Sequence, residues 1–209
     1  MTTRVAIIGA GTMGADHART LAAQVPGVAL QVVCDANAAR AAAIAEETGA
    51  LGAASDPVDV IHRRDVDAVL IASPDATHGP LTRDAISLGK PVLCEKPLAP
   101  TSKECLDIVA AEERGGRRLV QVGFMRRFDP AYVEMKALLA SGKLGQPLMF
   151  HCFHRNVAAP AFFDAQMAIT NSAPHEFDIA RWLLDQTWHQ PGTQPWISTG
   201  KPGGTTVRT

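Results

Sequence analysis

Residues 5–14 read Val-Ala-Ile-Ile-Gly-Ala-Gly-Thr-Met-Gly, four apolar residues that lead into the pattern G-x-G-x-x-G. The apolar run is typical of a buried strand, and a helix face follows it from Met13 to Val25. An acidic residue, Asp35, ends the next apolar run, 21 positions after Gly14. A strand, a glycine pattern, a helix and an acidic residue in this order predict a dinucleotide-binding unit.

Each part of this pattern has a mechanical role in holding NAD. The first glycine makes a tight turn, the second lets the backbone approach a pyrophosphate, and the third lets helix and strand pack closely. Asp35 would accept hydrogen bonds from the adenosine ribose and repel a 2′-phosphate, and Ala36 and Asn37 offer no cation for one, so NAD is favoured over NADP. The alternative is a glycine turn without a ligand. The residues predicted here to contact NAD are Gly9, Gly11, Thr12, Met13, Gly14 and Asp35.

Apolar runs and helical segments alternate up to about residue 123. This alternation predicts βαβ crossovers and an α/β fold, a doubly wound parallel sheet of the Rossmann type over residues 1–123. Thr101 and Glu104 are spaced as a capping box at the start of one helix. The predicted strands are 5–8, 28–34, 50–53, 67–72, 91–94 and 118–123, and the helices after the first are 37–48, 77–88 and one that begins near 101.

The pattern changes after residue 123. Asp129 and Pro130 are typical of a helix start, and that helix would run to Gly142. A strand is expected at 148–153 and a helix at 173–185, so residues 124–185 are predicted to form a partial α+β substrate domain. Residues 186–209 are rich in proline, glycine and threonine without periodicity, which predicts an irregular tail.

Composition excludes several classes of protein. The chain has 209 residues, 46% of them hydrophobic, and a net charge of −1, so a folded core is expected and nucleic acid is not an expected partner. No stretch reaches the roughly 20 apolar residues of a membrane helix. Four cysteines without a C-x-x-C pair predict reduced thiols in a cytoplasmic protein. His151, Cys152 and His154 have no further ligand cluster nearby, so no metal is expected.

Three polar segments follow the fourth, fifth and sixth predicted strands: residues 72–78, the tripeptide Glu95-Lys96-Pro97, and G-F-M-R-R-F-D at 123–129. They stand at the carboxyl edge, where open α/β sheets bind ligands. With the glycine pattern, this set resembles the glucose–fructose oxidoreductase, inositol dehydrogenase and rhizopine-catabolism family (Gfo/Idh/MocA) over about residues 3–185. Within that family, segments 123–129 and 169–178 look most like inositol 2-dehydrogenases.

The resemblance implies NAD-dependent oxidation of a secondary hydroxyl of a cyclic polyol, myo-inositol or a similar one. His175 would be the base and Lys96 the cation that stabilises the alkoxide. Asn171 stands where many relatives have an aspartate, so it can orient His175 but adds no charge. The further residues implied are Ser73, Pro74, His78, Glu95 and Lys96 for the coenzyme, and Lys96, Arg127, His154, Asn156, Asn171 and His175 for the substrate.

Several alternatives stay open. Lys96 could be a surface lysine and His175 a packing residue, either Arg126 or Arg127 could face the site, and His17 and His62 are expected to be ordinary surface or packing residues. By the resemblance, chains of this family continue into a further sheet, through which they form tetramers. This chain lacks that sheet, so a homo-oligomer is not expected to carry over. A non-catalytic dinucleotide- or sugar-binding fragment, a regulatory relative, and another sugar oxidoreductase of the family are the rival functions.

Overall fold

The structure is a computed structural model. It describes residues 2–153, 164, 167–185, 196–198 and 206–208. The chain divides into two compact units, Met1–Gly123 and Phe124–Thr209, which are described separately below.

The first unit is a six-stranded parallel sheet with helices, as the sequence predicts. Its strands lie in the order β3-β2-β1-β4-β5-β6, so the doubly wound Rossmann prediction is confirmed. The strands are β1 (Thr3–Ile8), β2 (Val28–Cys34), β3 (Ala53–Ala54), β4 (Ala68–Ile71), β5 (Val92–Cys94) and β6 (Val120–Val122). The helices are α1 (Thr12–Gln24), α2 (Ala38–Thr48), α3 (Pro57–His62), α4 (Asp75–Ser87) and α5 (Ser102–Arg114).

The sheet is buried on both faces. Along β1, Ala6 and Ile8 belong to one apolar cluster and Val5 and Ile7 to another, because successive side chains of a strand point to opposite faces. A third cluster forms around Ile108 of α5. The strand order reverses between β1 and β4, and in open α/β sheets the crevice beyond the carboxyl ends of strands at such a switch is the usual ligand site.

Two local features differ from the prediction. The third strand is Ala53–Ala54 rather than 50–53, and α3 was not predicted. Helix α3 has only six residues, too few to show helical periodicity, and its stability comes from its start: Asp56 accepts hydrogen bonds from the amides of Val58 and Asp59, and Pro57 is its first residue.

The second unit begins with a 3-10 turn, Met125–Phe128, followed by α6 (Pro130–Ala140). The side chain of Asp129 accepts the amide of Ala131 at 2.9 Å, which confirms the predicted helix start. A π-helical segment, Ala168–Ser172, leads directly into α7 (Ala173–Leu184).

Two expectations for this unit are wrong. The strand predicted at 148–153 does not form, and Leu148, Met149 and Phe153 are exposed. No strand of the described residues pairs with this segment, and an unpaired strand leaves its backbone groups without hydrogen bonds. The tail predicted to be irregular contains an antiparallel pair, β7 (Trp196–Ser198) and β8 (Thr206–Arg208). Three residues are too few to show a period of two in the sequence.

Among the described residues, Cys34, Cys94, Cys105 and Cys152 form no disulfide. Cys34 and Cys94 are buried in β2 and β5, and burial raises their pKa to about 11 and about 12. Within the described ranges, no helix is long and apolar enough to span a membrane, and no cluster of three potential metal-ligating side chains occurs.

Candidate functional site

The chain turns after β1 at a set of glycines, and two of these glycines have no room for a side chain. Gly9 has φ +94°, and a Cβ there would lie 2.5 Å from the carbonyl oxygen of Ala72. A Cβ on Gly14 would lie 1.8 Å from the carbonyl oxygen of Gly9. Gly11 has nothing within 4 Å of its Cβ position and is the N-cap of α1. Open space therefore lies beside the first amides of α1, at the end of the helix that attracts anions. Thr12 and Met13 form that first turn.

Asp35 lies at the end of β2 and is 7% exposed. It is joined to the glycine turn, because one of its oxygens accepts the amide of Ala10 at 2.7 Å. The other oxygen accepts the amide of Asn37 at 2.8 Å. Burial alone would raise the pKa of Asp35, but these bonds and the Arg40 guanidinium outweigh it and lower the pKa, so the carboxylate is ionised at neutral pH.

Arg40 is a residue that the sequence reasoning missed. Its Nε and Nη2 donate to the two oxygens of Asp35 at 3.1 and 2.7 Å, so a cation does stand beside the predicted ribose site. Ala36 and Asn37 supply no cation, as their side chains require, but Arg40 supplies one from the first turn of α2. A helix start at Asn37 was the available signal, because it places Arg40 in the first turn of α2, next to the end of β2.

The Glu95-Lys96-Pro97 turn follows β5, and the Lys96–Pro97 peptide is cis. One Glu95 oxygen lies 2.7 Å from Nε2 of His17 on α1, and the other accepts the amide of Lys96 at 3.3 Å. A Cβ on Gly123 would lie 3.1 Å from the Glu95 carboxyl, so the glycine after β6 leaves room for that group. His17 is thus paired with the carboxyl group of this turn, which corrects its expected role as an ordinary surface or packing residue.

The loop after β4 is fixed by short hydrogen bonds. Ser73 Oγ lies 2.6 Å from Thr77 Oγ1, and that hydroxyl donates to the carbonyl of Pro74 at 2.7 Å. His78 is only 2% exposed, and its Nδ1 and Nε2 lie 2.7 and 2.8 Å from the carbonyl oxygens of Pro97 and Ser73. The ring of His78 therefore binds the backbone of two loops rather than facing open space.

In the second unit, both arginines of segment 123–129 form ion pairs with α7. Arg126 Nη2 donates to Glu176 at 2.9 Å, and Arg127 Nε donates to Asp178 at 2.8 Å. The side chain of Arg127 is 38% exposed and that of Arg126 17%, so Arg127 has the more accessible guanidinium.

His175 is 7% exposed in the first turn of α7, with its ring edge-on to Phe124 at 6.5 Å between centroids. Asn171 lies in the π-helical segment, partly buried, and its Oδ1 accepts the Thr170 hydroxyl at 3.1 Å. His154 and Asn156 lie outside the described residues. Lys96 belongs to the first unit and His175 to the second, so each is placed within its own unit.

Comparison with known proteins gives a consistent result. Residues 3–124 match the oxidoreductase family with an NAD-binding Rossmann fold, GFO_IDH_MocA, and residues 132–191 match the GFO/IDH/MocA C-terminal domain. The chain is 53% identical over 185 residues to inositol 2-dehydrogenase 1 of Saccharopolyspora erythraea, covering 88% of this chain and 55% of the relative. It is 46% identical to inositol 2-dehydrogenase of Mycolicibacterium smegmatis, with 88% and 53% covered.

The solved structures agree with this assignment of the fold. The crystal structure of myo-inositol dehydrogenase from Lactobacillus casei with NAD(H) and myo-inositol has a TM-score of 0.85 at 28% identity, covering all of this chain and 66% of that one. The chain spans about 55% of the length of the two inositol 2-dehydrogenases of Saccharopolyspora erythraea that it matches. On this evidence, the chain belongs to the Gfo/Idh/MocA family of oxidoreductases.

Proposed function

We propose that this chain takes part in the NAD-dependent oxidation of a secondary hydroxyl of a cyclic polyol of the myo-inositol type. The observation that carries the proposal is the 53% identity, over 88% of this chain, to a protein named inositol 2-dehydrogenase. The sequence supports it with the tripeptide Glu95-Lys96-Pro97 and with His175, residues that a purely structural relative would not need.

The first unit fits the coenzyme. The pyrophosphate of NAD would lie in the open space beside Gly11 and the first amides of α1, and the adenosine ribose would hydrogen-bond Asp35. When bound, NAD accepts the hydride of the carbon that carries the hydroxyl. Ser73 and Pro74 would border the nicotinamide side, where Lys96 also stands.

The chain's own residues would handle the proton and the oxygen. His175 in its neutral form would accept the proton of the hydroxyl, and its burial keeps bulk water from competing. Lys96 would donate a hydrogen bond to the same oxygen and stabilise its developing negative charge. Asn171 would orient the histidine or a substrate hydroxyl, and Arg127, His154 and Asn156 would bind the remaining hydroxyls.

The test combines turnover with binding. NADH formation at 340 nm with myo-inositol measures the reaction, and titration with NADH measures binding separately. We expect Lys96→Ala and His175→Ala each to lower kcat by about 100-fold or more while NADH affinity stays within about threefold. Lys103→Ala, which removes an exposed lysine paired with Asp107, is the control and should leave both unchanged. Unaffected turnover in either variant would reject the roles given to these residues.

One observation favours a second substrate. The apo scyllo-inositol dehydrogenase of Lactobacillus casei has a TM-score of 0.72 to this chain at 26% identity. Assays with scyllo-inositol and simple sugars beside myo-inositol therefore separate the candidates by kcat/KM. Saturable NADH binding without turnover of any polyol would instead identify a non-catalytic binding protein.

A further inference from the structure

The Glu95-Lys96-Pro97 turn is held on both sides by histidines that belong to two different helices. His17 of α1 contacts the residue before Lys96, and His78 of α4 contacts the residue after it. We propose that His17 and His78 are positioning residues that fix the backbone of Lys96, so that the helix that receives the coenzyme also sets the geometry of the nicotinamide side. This inference rests on the proposed function, because it requires NAD to bind along α1.

The first contact joins α1 to Glu95. His17 lies in the second turn of α1, one turn after the amides that would bind the pyrophosphate. Burial would raise the pKa of Glu95, but the hydrogen bond and charge of His17, together with the amide and charge of Lys96, outweigh that effect, so the pKa is lowered and the carboxylate is ionised. An ionised carboxylate only accepts hydrogen bonds, so Nε2 of His17 must carry the proton at 2.7 Å. The other oxygen holds the amide of Lys96 itself.

The second contact joins α4 to Pro97. His78 is almost completely buried, between the carbonyl oxygens of Pro97 and Ser73. Carbonyl oxygens only accept, and a neutral imidazole has one N–H, so the neutral ring makes one of these bonds and the protonated ring both. Only the protonated ring donates to both loops at once, whereas the neutral ring donates either to the turn after β5 or to the loop after β4. Lys96 therefore stands between two residues that each have an oxygen 2.7 Å from a histidine nitrogen.

Loss of His17 should affect the position of Lys96 more than the stability of the fold. The side chain of His17 is 28% exposed, so replacing it removes little buried area and should leave the fold intact. Loss of His17 would, however, take a donor from a half-buried carboxylate next to Lys96, and the Lys96 ammonium is a cation close enough in sequence to replace it. The consequence would be a displaced Lys96, not an unfolded chain.

The test compares two ligands that differ at the nicotinamide. ADP-ribose carries the adenosine, the pyrophosphate and the second ribose but no nicotinamide, so the difference between its affinity and that of NADH reports on the nicotinamide contacts. For His17→Ala we expect NADH affinity to fall about tenfold, with weaker fluorescence enhancement of bound NADH, while ADP-ribose affinity stays within about twofold. His17→Gln, which keeps an N–H donor, should restore most of the NADH affinity.

A matched control and a second variant complete the design. His62→Ala removes an imidazole that is paired with Asp84 at 3.0 Å, a histidine–carboxylate pair of the same unit that does not touch the turn, and it should bind both ligands like the wild type. Glu95→Gln should reproduce the loss, and the His17→Ala, Glu95→Gln double variant should be no worse than either single variant, because the two act as one unit.

The possible results are distinguishable. Equal losses of NADH and ADP-ribose affinity would show that His17 supports α1 only, and unchanged NADH affinity in His17→Ala would show that it supports nothing at this site. Either result overturns the positioning role and leaves the proposed function intact. A wild-type chain that binds neither ligand overturns the proposed function, and this inference with it.

Discussion

The carboxylate of Asp35 has its hydrogen-bonding capacity filled by the protein. It accepts the amides of Ala10 and Asn37 and both donors of Arg40, which equals the roughly four lone-pair sites of a carboxylate. Ribose hydroxyls can bind only if some of these donors are shared or moved. The guanidinium of Arg40 is the one on an exposed side chain, 51% accessible, so it is the donor that can move.

This arrangement predicts how Asp35 sets coenzyme preference. In Asp35→Ser the negative charge is gone, a single hydroxyl replaces the two carboxylate oxygens, and Arg40 remains, so NADH affinity should fall by about tenfold or more while NADPH affinity rises. Fluorescence titration with the two reduced coenzymes measures both changes. Asp67→Ser, on an exposed aspartate paired with Arg4, should alter neither affinity. An Asp35→Ser variant that binds NADH as tightly as the wild type would show that the ribose does not use this carboxylate.

The lowered pKa of Glu95 predicts acid sensitivity with a definite sign. The unfolded chain takes up a proton on Glu95 near pH 4.5, before the folded chain does, because His17 and the amide of Lys96 hold the folded pKa lower. Its contribution to stability is therefore complete above about pH 4.5 and is lost as the pH falls through the folded pKa. Denaturant unfolding between pH 5 and 3, at about half-unit steps, should give a shallower decline in Glu95→Gln than in the wild type. Glu46→Gln, on an exposed glutamate of α2, should keep the wild-type slope.

At the scale of the element, two glycines of the turn between β1 and α1 have different roles, one in the stability of the fold and the other in coenzyme binding. A Cβ on Gly14 would lie only 1.8 Å from the Gly9 carbonyl oxygen, whereas the space at Gly11 is open, and its φ of −67° suits any residue. Gly14→Ala should therefore force α1 from β1 and lower Tm by several degrees, at a cost of about 1–3 kcal/mol. Gly11→Ala should keep Tm and lose NADH binding, because its methyl group would occupy the space proposed for the pyrophosphate. Thermal melting and NADH titration of the pair test this, and equal melting temperatures would contradict it.

Helix starts and the long elements of the first unit could be predicted from the sequence because their signals are local. Thr101 accepts the amide of Glu104 at 3.2 Å, as the capping pattern predicts, and Asp129 begins α6. The six residues of α3 and the three-residue strands of the tail carry too little periodicity to be detected. The segment 148–153 has strand-like composition, but strand formation depends on a partner, which composition does not report.

For the candidate site, motif spacing could predict which residues are chemically important but not what each one contacts. Glu95 and Lys96 were identified from a tripeptide, yet the pairing of Glu95 with His17 joins residues 78 positions apart, which no local pattern shows. The contact of Arg40 with Asp35 spans a strand end and a helix start, so it depends on where α2 begins. Likewise, His78 was expected beside the nicotinamide, and its two carbonyl partners follow from the packing of α4 against two loops.

At the scale of the whole molecule, the apolar core is concentrated in the first unit. Among the described residues, the three clusters of buried residues and the residues packed against them lie between Val5 and Val120. In the second unit, buried residues of the described part are confined to α7, among them Ile179 and Leu183, while Leu148 and Phe153 are exposed. Stability is therefore expected to differ between the two units, because buried apolar area is the main source of folding free energy.

This distribution predicts that a chain ending at Gly123 folds by itself. Such a fragment keeps all six strands of the parallel sheet, the glycine turn, Asp35 and the pair of His17 with Glu95. It should unfold in one cooperative transition and bind NADH within about fivefold of the 209-residue chain, because the contacts expected for the adenosine and the pyrophosphate are intact. Circular dichroism melting and NADH titration measure both properties. The 209-residue chain with Gly11→Ala is the comparison for lost binding. A fragment that aggregates or melts without cooperativity would show that residues beyond Gly123 are needed to complete the sheet's packing.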